Sequence, residues 1–278
     1  MELTSFRPGD DEWIASMMEE APAYLRRELL KAVRRNPEHT RLAVVADRMV
    51  GAAVHTAGQG DDRANICVYT AASYRRLGIG SRLLQAMEND LRDHGIPTAM
   101  MDFDRNEEVE DFVKKRGYAL KYASHLMRYE GEPIVPDRHF MAYEDGMYER
   151  VQGVISRALY PLRKRLNIQP YAIPPSQADR EEMAEHAEDY YVYVEDQRIV
   201  AVGCAADGEI SNLCVEEAYR GRGIGKALVA YGIEKLRREG MDASTLWVME
   251  SNENARRLYG HMGFATVRVH GLYAKALI

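Results

Sequence analysis

The feature that most constrains this 278-residue chain is a unit that occurs twice: an apolar strand, a glycine-rich turn and an amphipathic helix. The fuller copy lies within Glu209–Phe264. Its strand, Ile210–Val215 (ISNLCV), is rich in residues that suit a pleated surface. Its turn is Arg220-Gly221-Arg222-Gly223-Ile224-Gly225, and apolar residues then recur at Ile224, Leu228, Val229, Ile233 and Leu236, which is helical spacing. Arg75-Arg76-Leu77-Gly78-Ile79-Gly80 repeats the turn 145 positions earlier, with Ile79, Leu83, Leu84, Met87 and Leu91 on the helix that follows. Gly117-Tyr118 answers Gly263-Phe264, and Asp47-Arg48-Met49-Val50 answers Gln197-Arg198-Ile199-Val200. A repeat of that length is a domain, so the spacing predicts two domains in tandem, with loop insertions causing the small drift in offset.

A strand that feeds a glycine turn onto a helix N-terminus suits phosphate. The first N–H groups of the helix have no partner within it, and the helix dipole favours an anion there. Glycine removes the Cβ that would hold the anion off. The dinucleotide fingerprint fails, because its third glycine falls on Lys226. The Walker loop fails at Arg220 and Ala227. The pattern that fits is R-x-x-G-x-G, followed about 30 residues on by Asn254, Leu258, Tyr259, Gly263 and Phe264. Together these resemble the GNAT superfamily of acyl-CoA-dependent N-acetyltransferases. The motif windows cover about 55 residues in each half, and the layout extends over nearly the whole chain.

Composition agrees with that class. The chain is 46% hydrophobic and 29% charged, with net charge −6, so it lacks the basic footprint of a nucleic-acid binder. No run approaches the roughly 18 apolar residues of a membrane span. The acidic N-terminal stretch lacks the apolar core of a signal peptide. Cys67, Cys204 and Cys214 are odd in number and scattered, which predicts buried free thiols in a reducing cytoplasm. No Cys/His spacing indicates a metal site, and none is expected.

Taken in order, residues 1–130 form the first domain, 131–137 a linker with two prolines and a glycine, and 138–278 the second domain. The first domain opens with a strand over Glu2–Phe6 and two helices in Asp11–Arg35, broken near Pro22. A hairpin spans Leu42–Ala46 and Val50–Thr56, Gln59–Arg63 is a polar loop, and Asn65–Thr70 is the strand before the phosphate turn. Two end strands follow at Ala119–Tyr122 and His125–Tyr129. The second domain has a strand near Phe140–Tyr143, helices over Tyr148–Leu159 and Ala178–His186, a hairpin of Tyr190–Val194 with Ile199–Ala205, and a last strand over Leu272–Leu277. Tyr160–Gln177 departs most from the first half: it is either a surface insertion or, as the resemblance implies, the wall on the acceptor side of the cleft. The fold class is α/β: two tandem domains, each a mixed, mostly antiparallel twisted sheet flanked by helices. The sheet details rest on the resemblance.

The resemblance also implies the chemistry: acetyl-CoA as cosubstrate, and a small-molecule or peptide amine as acceptor. Cofactor binding would fall to Arg220, Gly221, Arg222, Gly223, Ile224, Gly225 and Lys226. The pantetheine arm would lie along Leu213, Cys214 and Val215, with the Val215 N–H facing the charge that develops on the acyl oxygen. Asn254 is a pantetheine contact or a helix N-cap. Tyr259 is the candidate general acid for the departing thiolate, since a phenol near pKa 10 can donate to a thiolate near 8.5. Glu209 is the candidate base, with Glu250 as the alternative, and His261 is read as surface. The first half keeps Arg75, Gly78 and Gly80 but carries Val113 where the second has Tyr259, and Ala64 where it has Glu209. It is therefore expected not to turn over, and either to hold coenzyme A or to buttress the second half. The competing class is an acyl-CoA-binding or regulatory protein without catalysis.

Overall fold

Short alternating strands joined by tight turns, interrupted by amphipathic helices, set the pattern of the computed structural model, which describes residues 1–58 and 61–277. Two of the expected loop residues, Gln59 and Gly60, lie outside the described residues. The chain folds as two compact units: Met1–Lys121 with the chain from Gly271 on, and Tyr122–His270. The first half of the chain holds β1 (Glu2–Ser5), α1 (Asp10–Met17), α2 (Ala23–Arg35), β2 (Thr40–Val45), β3 (Arg48–His55), β4 (Arg63–Thr70), α3 (Ile79–Asp93), β5 (Thr98–Asp104), α4 (Glu107–Lys114) and β6 (Ala119–Tyr129). The second holds β7 (Met141–Ala142), α5 (Tyr148–Arg165), α6 (Gln177–Glu185), β8 (Tyr190–Glu195), β9 (Arg198–Ala206), β10 (Glu209–Val215), α7 (Ile224–Arg238), β11 (Ser244–Met249), α8 (Glu253–His261) and β12 (Ala265–Ala276).

Unit 1 orders its strands β1-β2-β3-β4-β5, with the end of β12 beside β5. Unit 2 orders them β7-β8-β9-β10-β11-β6. Within β1–β5 and within β6–β11 pairing is antiparallel except β4 with β5 and β10 with β11, each reached through a helical crossover. Each sheet buries both faces. In unit 2, Leu228, Val229, Ile233 and Leu236 of α7 pack with Ile210 and Leu246 on one face. Val151, Val154 and Ile155 of α5 pack with Val192, Val202 and Cys214 on the other. In unit 1, α3 covers one face through Leu83, Leu84, Met87 and Leu91, and Ile14, Leu29 and Val33 cover the other.

Three features differ from the sequence expectation. The end strands placed at Ala119–Tyr122 and His125–Tyr129 are one continuous strand, β6. Tyr122–Tyr129 belongs to unit 2, where β6 pairs with β11 from Ser244↔Tyr129 to Met249↔Ser124. Conversely, β12 begins at Ala265, ahead of the expected Leu272, and its residues from Gly271 on belong to unit 1. There Tyr273 is fully buried and stacks on Phe103, and Lys275 pairs with Glu88 at 2.7 Å. Finally, α5 runs past Leu159 to Arg165, with Pro161 inside it. The proline lacks the N–H that would bond the carbonyl of Arg157 one turn back. The cysteines are free; Cys204 and Cys214 are buried, whereas Cys67 is only half-buried.

Candidate active site

The gap between β10 and β11 positions the site. These strands pair only at Glu209↔Thr245 and then diverge. On its other side β10 stays paired with β9, and a bulge falls between Ser211 and Cys214, where Asn212 takes a φ of +48°. The bulge shifts the side-chain alternation, so Ile210 and Leu213 pack on the α7 face while Cys214 packs on the α5 face. The Glu216 N–H donates to the Val200 carbonyl at 2.9 Å, and Cys214 is paired with Val202. Donors alternate along an antiparallel strand, so the N–H groups of Leu213 and Val215 point the other way, into the gap. The geometry thus presents two donors where the sequence argument singled out Val215, and it turns Cys214 toward β9.

The glycine turn caps the same gap. Gly223 is the N-cap of α7 with φ +83°, and Gly221 has φ +78°. The helix ladder starts with the Ala227 N–H on the Gly223 carbonyl at 3.1 Å, so the N–H groups of Ile224, Gly225 and Lys226 precede it. A cavity of about 660 Å³ opens here. The turn from Arg220 to Lys226, the strand end Leu213–Val215, Asn252, Asn254, Leu258 and Tyr259 all line it, together with Ala158, Leu159, Pro161, Leu162 and Arg165 of α5. The part of Tyr160–Gln177 that had two readings is therefore helical where it begins, and that helical end is a cavity wall.

Side chains in the turn hold the turn itself. Arg220 Nε donates to the Val215 carbonyl at 3.1 Å and Nη2 to the Ala158 carbonyl at 3.3 Å. Arg75 makes the matching contact in the first copy, to the Thr70 carbonyl at 3.3 Å. Arg222 pairs with Glu195 at 3.1 Å and lies over the Tyr219 ring. Arg138, just after the expected linker, donates to the Arg222 carbonyl at 2.6 Å and brings one more cation to the turn. No motif marked it, because its partner lies 84 positions away.

Tyr259 is 7% exposed, and its ring packs near Phe264. Among the described residues its hydroxyl makes no hydrogen bond, although it lines the cavity. Burial pushes its pKa up to about 12, so the phenol stays protonated throughout the neutral range. Burial likewise pushes the Cys214 thiol up to about 12, which makes it an inert wall. Glu209 sits at the closed end of the gap, half-buried and outside the cavity lining. Burial raises its carboxyl above the ordinary glutamate value. Glu250, just after β11, faces His125 at 3.6 Å and does not line the cavity. His261 is exposed. The N-cap of α8 is Asn252, whose side chain accepts from the Ala255 N–H. Asn254 is therefore not the cap, and its amide oxygen accepts from Arg257 at 2.7 Å.

The corresponding place in unit 1 carries other side chains. Arg76 carries a side chain, at φ +64°, where unit 2 has Gly221, and it pairs with Glu108 at 3.2 Å. The Phe112 ring lies against Gly80, and Arg116 stacks on that ring while donating to Ser81 Oγ and the Phe112 carbonyl. Val113 is fully buried.

Comparison with known proteins places this geometry. The acetyltransferase (GNAT) family model matches twice, over residues 7–118 and 156–264. Mycothiol acetyltransferase of Beutenbergia cavernae is 45% identical over 69 residues, which is 25% of this chain and 23% of that relative's own length. The enzyme of the same name from Rhodococcus jostii is 26% identical over 256 residues, 83% of this chain and 81% of that one. A GCN5-related N-acetyltransferase from Sphaerobacter thermophilus shares the fold with a TM-score of 0.73 at 20% identity, covering 99% of this chain and 95% of that one. A tandem GNAT protein from the clavulanic acid biosynthesis pathway does so with a TM-score of 0.67 at 16% identity, covering 100% and 98%. With a family match in each half of the chain and the fold shared along its whole length, the chain belongs to the GNAT family of acetyltransferases.

Proposed function

We propose that the C-terminal half, residues 138–278, transfers an acetyl group from acetyl-CoA to a primary amine of a small molecule or peptide. In the same reading, the N-terminal half, residues 1–130, does not turn over. The observation that carries it is the convergence of an unpaired, protonated Tyr259 hydroxyl and the free Leu213 and Val215 donors on one cavity below an anion-accepting turn. The cavity fits the cosubstrate: its far end offers the N–H groups of Ile224–Lys226 to pyrophosphate, and its strand edge offers backbone partners to a pantetheine amide.

Bound acetyl-CoA supplies an activated acyl group as its thioester. The Val215 N–H, with Leu213 beside it, stabilises negative charge on the acyl oxygen, because fixed dipoles need no reorganisation as the charge develops. Tyr259 donates its proton to the leaving sulfur. A pKa of about 12 makes Tyr259 a weak acid against a thiolate near 8.5 in water, but the same apolar walls raise the thiol as well. Glu209 takes the amine proton through water from the closed end of the gap, with Glu250 as the alternative base. Its raised pKa makes it a stronger base than an exposed carboxylate. Asn254 contributes a cofactor contact from the first turn of α8.

The test is thiol release from acetyl-CoA across a panel of amines, with mycothiol-related amines first in view of the relatives' names, alongside calorimetry of coenzyme A. Turnover with at least one amine, and one coenzyme A held at the C-terminal turn, is expected. Tight coenzyme A binding without turnover on any amine would favour the non-catalytic binding protein.

A further inference from the structure

Outside the cleft, unit 1 gathers a cluster of side chains that the acetyl-transfer reading does not use. His39 precedes β2, His55 ends β3 and Asp90 lies on the last turn of α3. Their potential ligand atoms all lie within 4.8 Å of one another. His55 Nε2 is 2.6 Å and His39 Nδ1 3.3 Å from Asp90 Oδ2. The His55 side chain is fully buried, while His39 and Asp90 are 18% and 19% exposed, so the cluster has a closed floor and an open mouth. The two rings stack at 4.2 Å, and His94 packs edge-on against both.

We propose that His39 Nδ1, His55 Nε2 and Asp90 form a binding site for one divalent late first-row metal ion, such as Zn²⁺ or Ni²⁺. Two imidazoles and a carboxylate are the donor set these ions select, and water would complete the coordination. For ligands about 2.05 Å from a tetrahedral ion, the ligand–ligand edge is about 3.3 Å. The His39–Asp90 distance already has that value, and the His55–Asp90 pair, at 2.6 Å, must open by about 0.7 Å to admit the ion. The outer contacts suit two of the three ligands. Glu38 Oε1 is 3.7 Å from the outer nitrogen of His39, and Arg41 is 3.8 Å from the other oxygen of Asp90. Loading moves the His55 proton from Nε2 to Nδ1. The Ala57 N–H now faces Nδ1 at 3.4 Å, a long contact that opens when the tautomer changes. Sequence spacing hid the cluster, because its members come from three elements over 52 residues.

The experiment strips the full chain with a chelator and adds Zn²⁺ alone under calorimetry, with Co²⁺ absorption as a second probe. One ion per chain is expected, with the intense visible bands of low-coordinate Co²⁺. His39→Gln and Asp90→Asn should each weaken binding by at least the roughly hundredfold that loss of an outer contact can cost, while His186→Ala leaves it unchanged. Binding no tighter than in the His39→Gln/Asp90→Asn double variant, or a loss that follows His186→Ala instead, would overturn the site. Should either ligand variant melt below the assay temperature, the Co²⁺ spectrum of the unaltered chain decides: bands indistinguishable from the aquo ion refute the proposal.

Discussion

Tyr259 separates a chemical role from a packing role. Its ring belongs to a buried cluster, yet its hydroxyl has no partner among the described residues. Tyr259→Phe removes one oxygen and keeps the ring, so the melting temperature should hold and acetyl-CoA affinity should change little. The chemical step should slow by about 10²–10⁴-fold if the phenol protonates the leaving sulfur. Single-turnover kinetics beside thermal melting measure both, and a normal rate with an early melt would end the catalytic assignment. Glu209 makes a pH argument at the same scale. Burial raises its carboxyl pKa, so the folded state favours the protonated form. The stability this group contributes is full below its unfolded value and is lost as pH rises through the raised folded value. Glu209→Gln should therefore raise the melting temperature near neutral pH, and that gain should vanish in acid. If Glu209 is the base, the same change should lower the rate and remove an acidic limb lying above the ordinary glutamate range. A pH–rate profile that keeps this limb would pass the role to Glu250.

Two elements set the site: the α7 N-terminus and the diverging edge of β10. Gly223 caps α7 with φ +83°, a left-handed backbone that disfavours any side chain. Gly223→Val should strain that turn and crowd the N–H groups of Ile224–Lys226, so coenzyme A binding should fall below detection in calorimetry. Unchanged affinity would remove the turn from the binding site. Glycine spacing and helical periodicity made this element legible, because both are properties of a short stretch. The role of the arginine side chains was not legible. Arg220 contacts Val215 five positions back and Ala158 sixty-two back, and only the packed turn shows its guanidinium bracing the backbone. The bulge at Ser211/Cys214 was equally hidden, since a strand sequence does not state which partner residue is skipped.

At the scale of the molecule, the last strand ties the end of the chain to its beginning. Residues from Gly271 on complete unit 1, burying Tyr273 and neutralising the buried Glu88 with Lys275. Deleting residues 271–278 should destabilise unit 1 by on the order of 3–5 kcal/mol or more, because it strands a buried charge and opens the core. Hydrogen exchange should show it first in β5 and α3. Protection unchanged there would refute the dependence. The sequence by itself determined the tandem repeat, the α/β class, the two glycine turns, and Val113 and Ala64 at the first half's matches to Tyr259 and Glu209, all of which are written in local periodicity and in matched spacings. The tertiary structure decided where each unit ends. Boundaries drawn at the proline-bearing linker assigned β6 and β12 wholly to consecutive domains, whereas Tyr122–Tyr129 packs in unit 2 and the chain from Gly271 on packs in unit 1. A strand's own residues specify that it pairs and which face it buries. Which sheet edge it joins depends on the free edges that the rest of the fold presents, and that information is spread over residues more than a hundred positions apart.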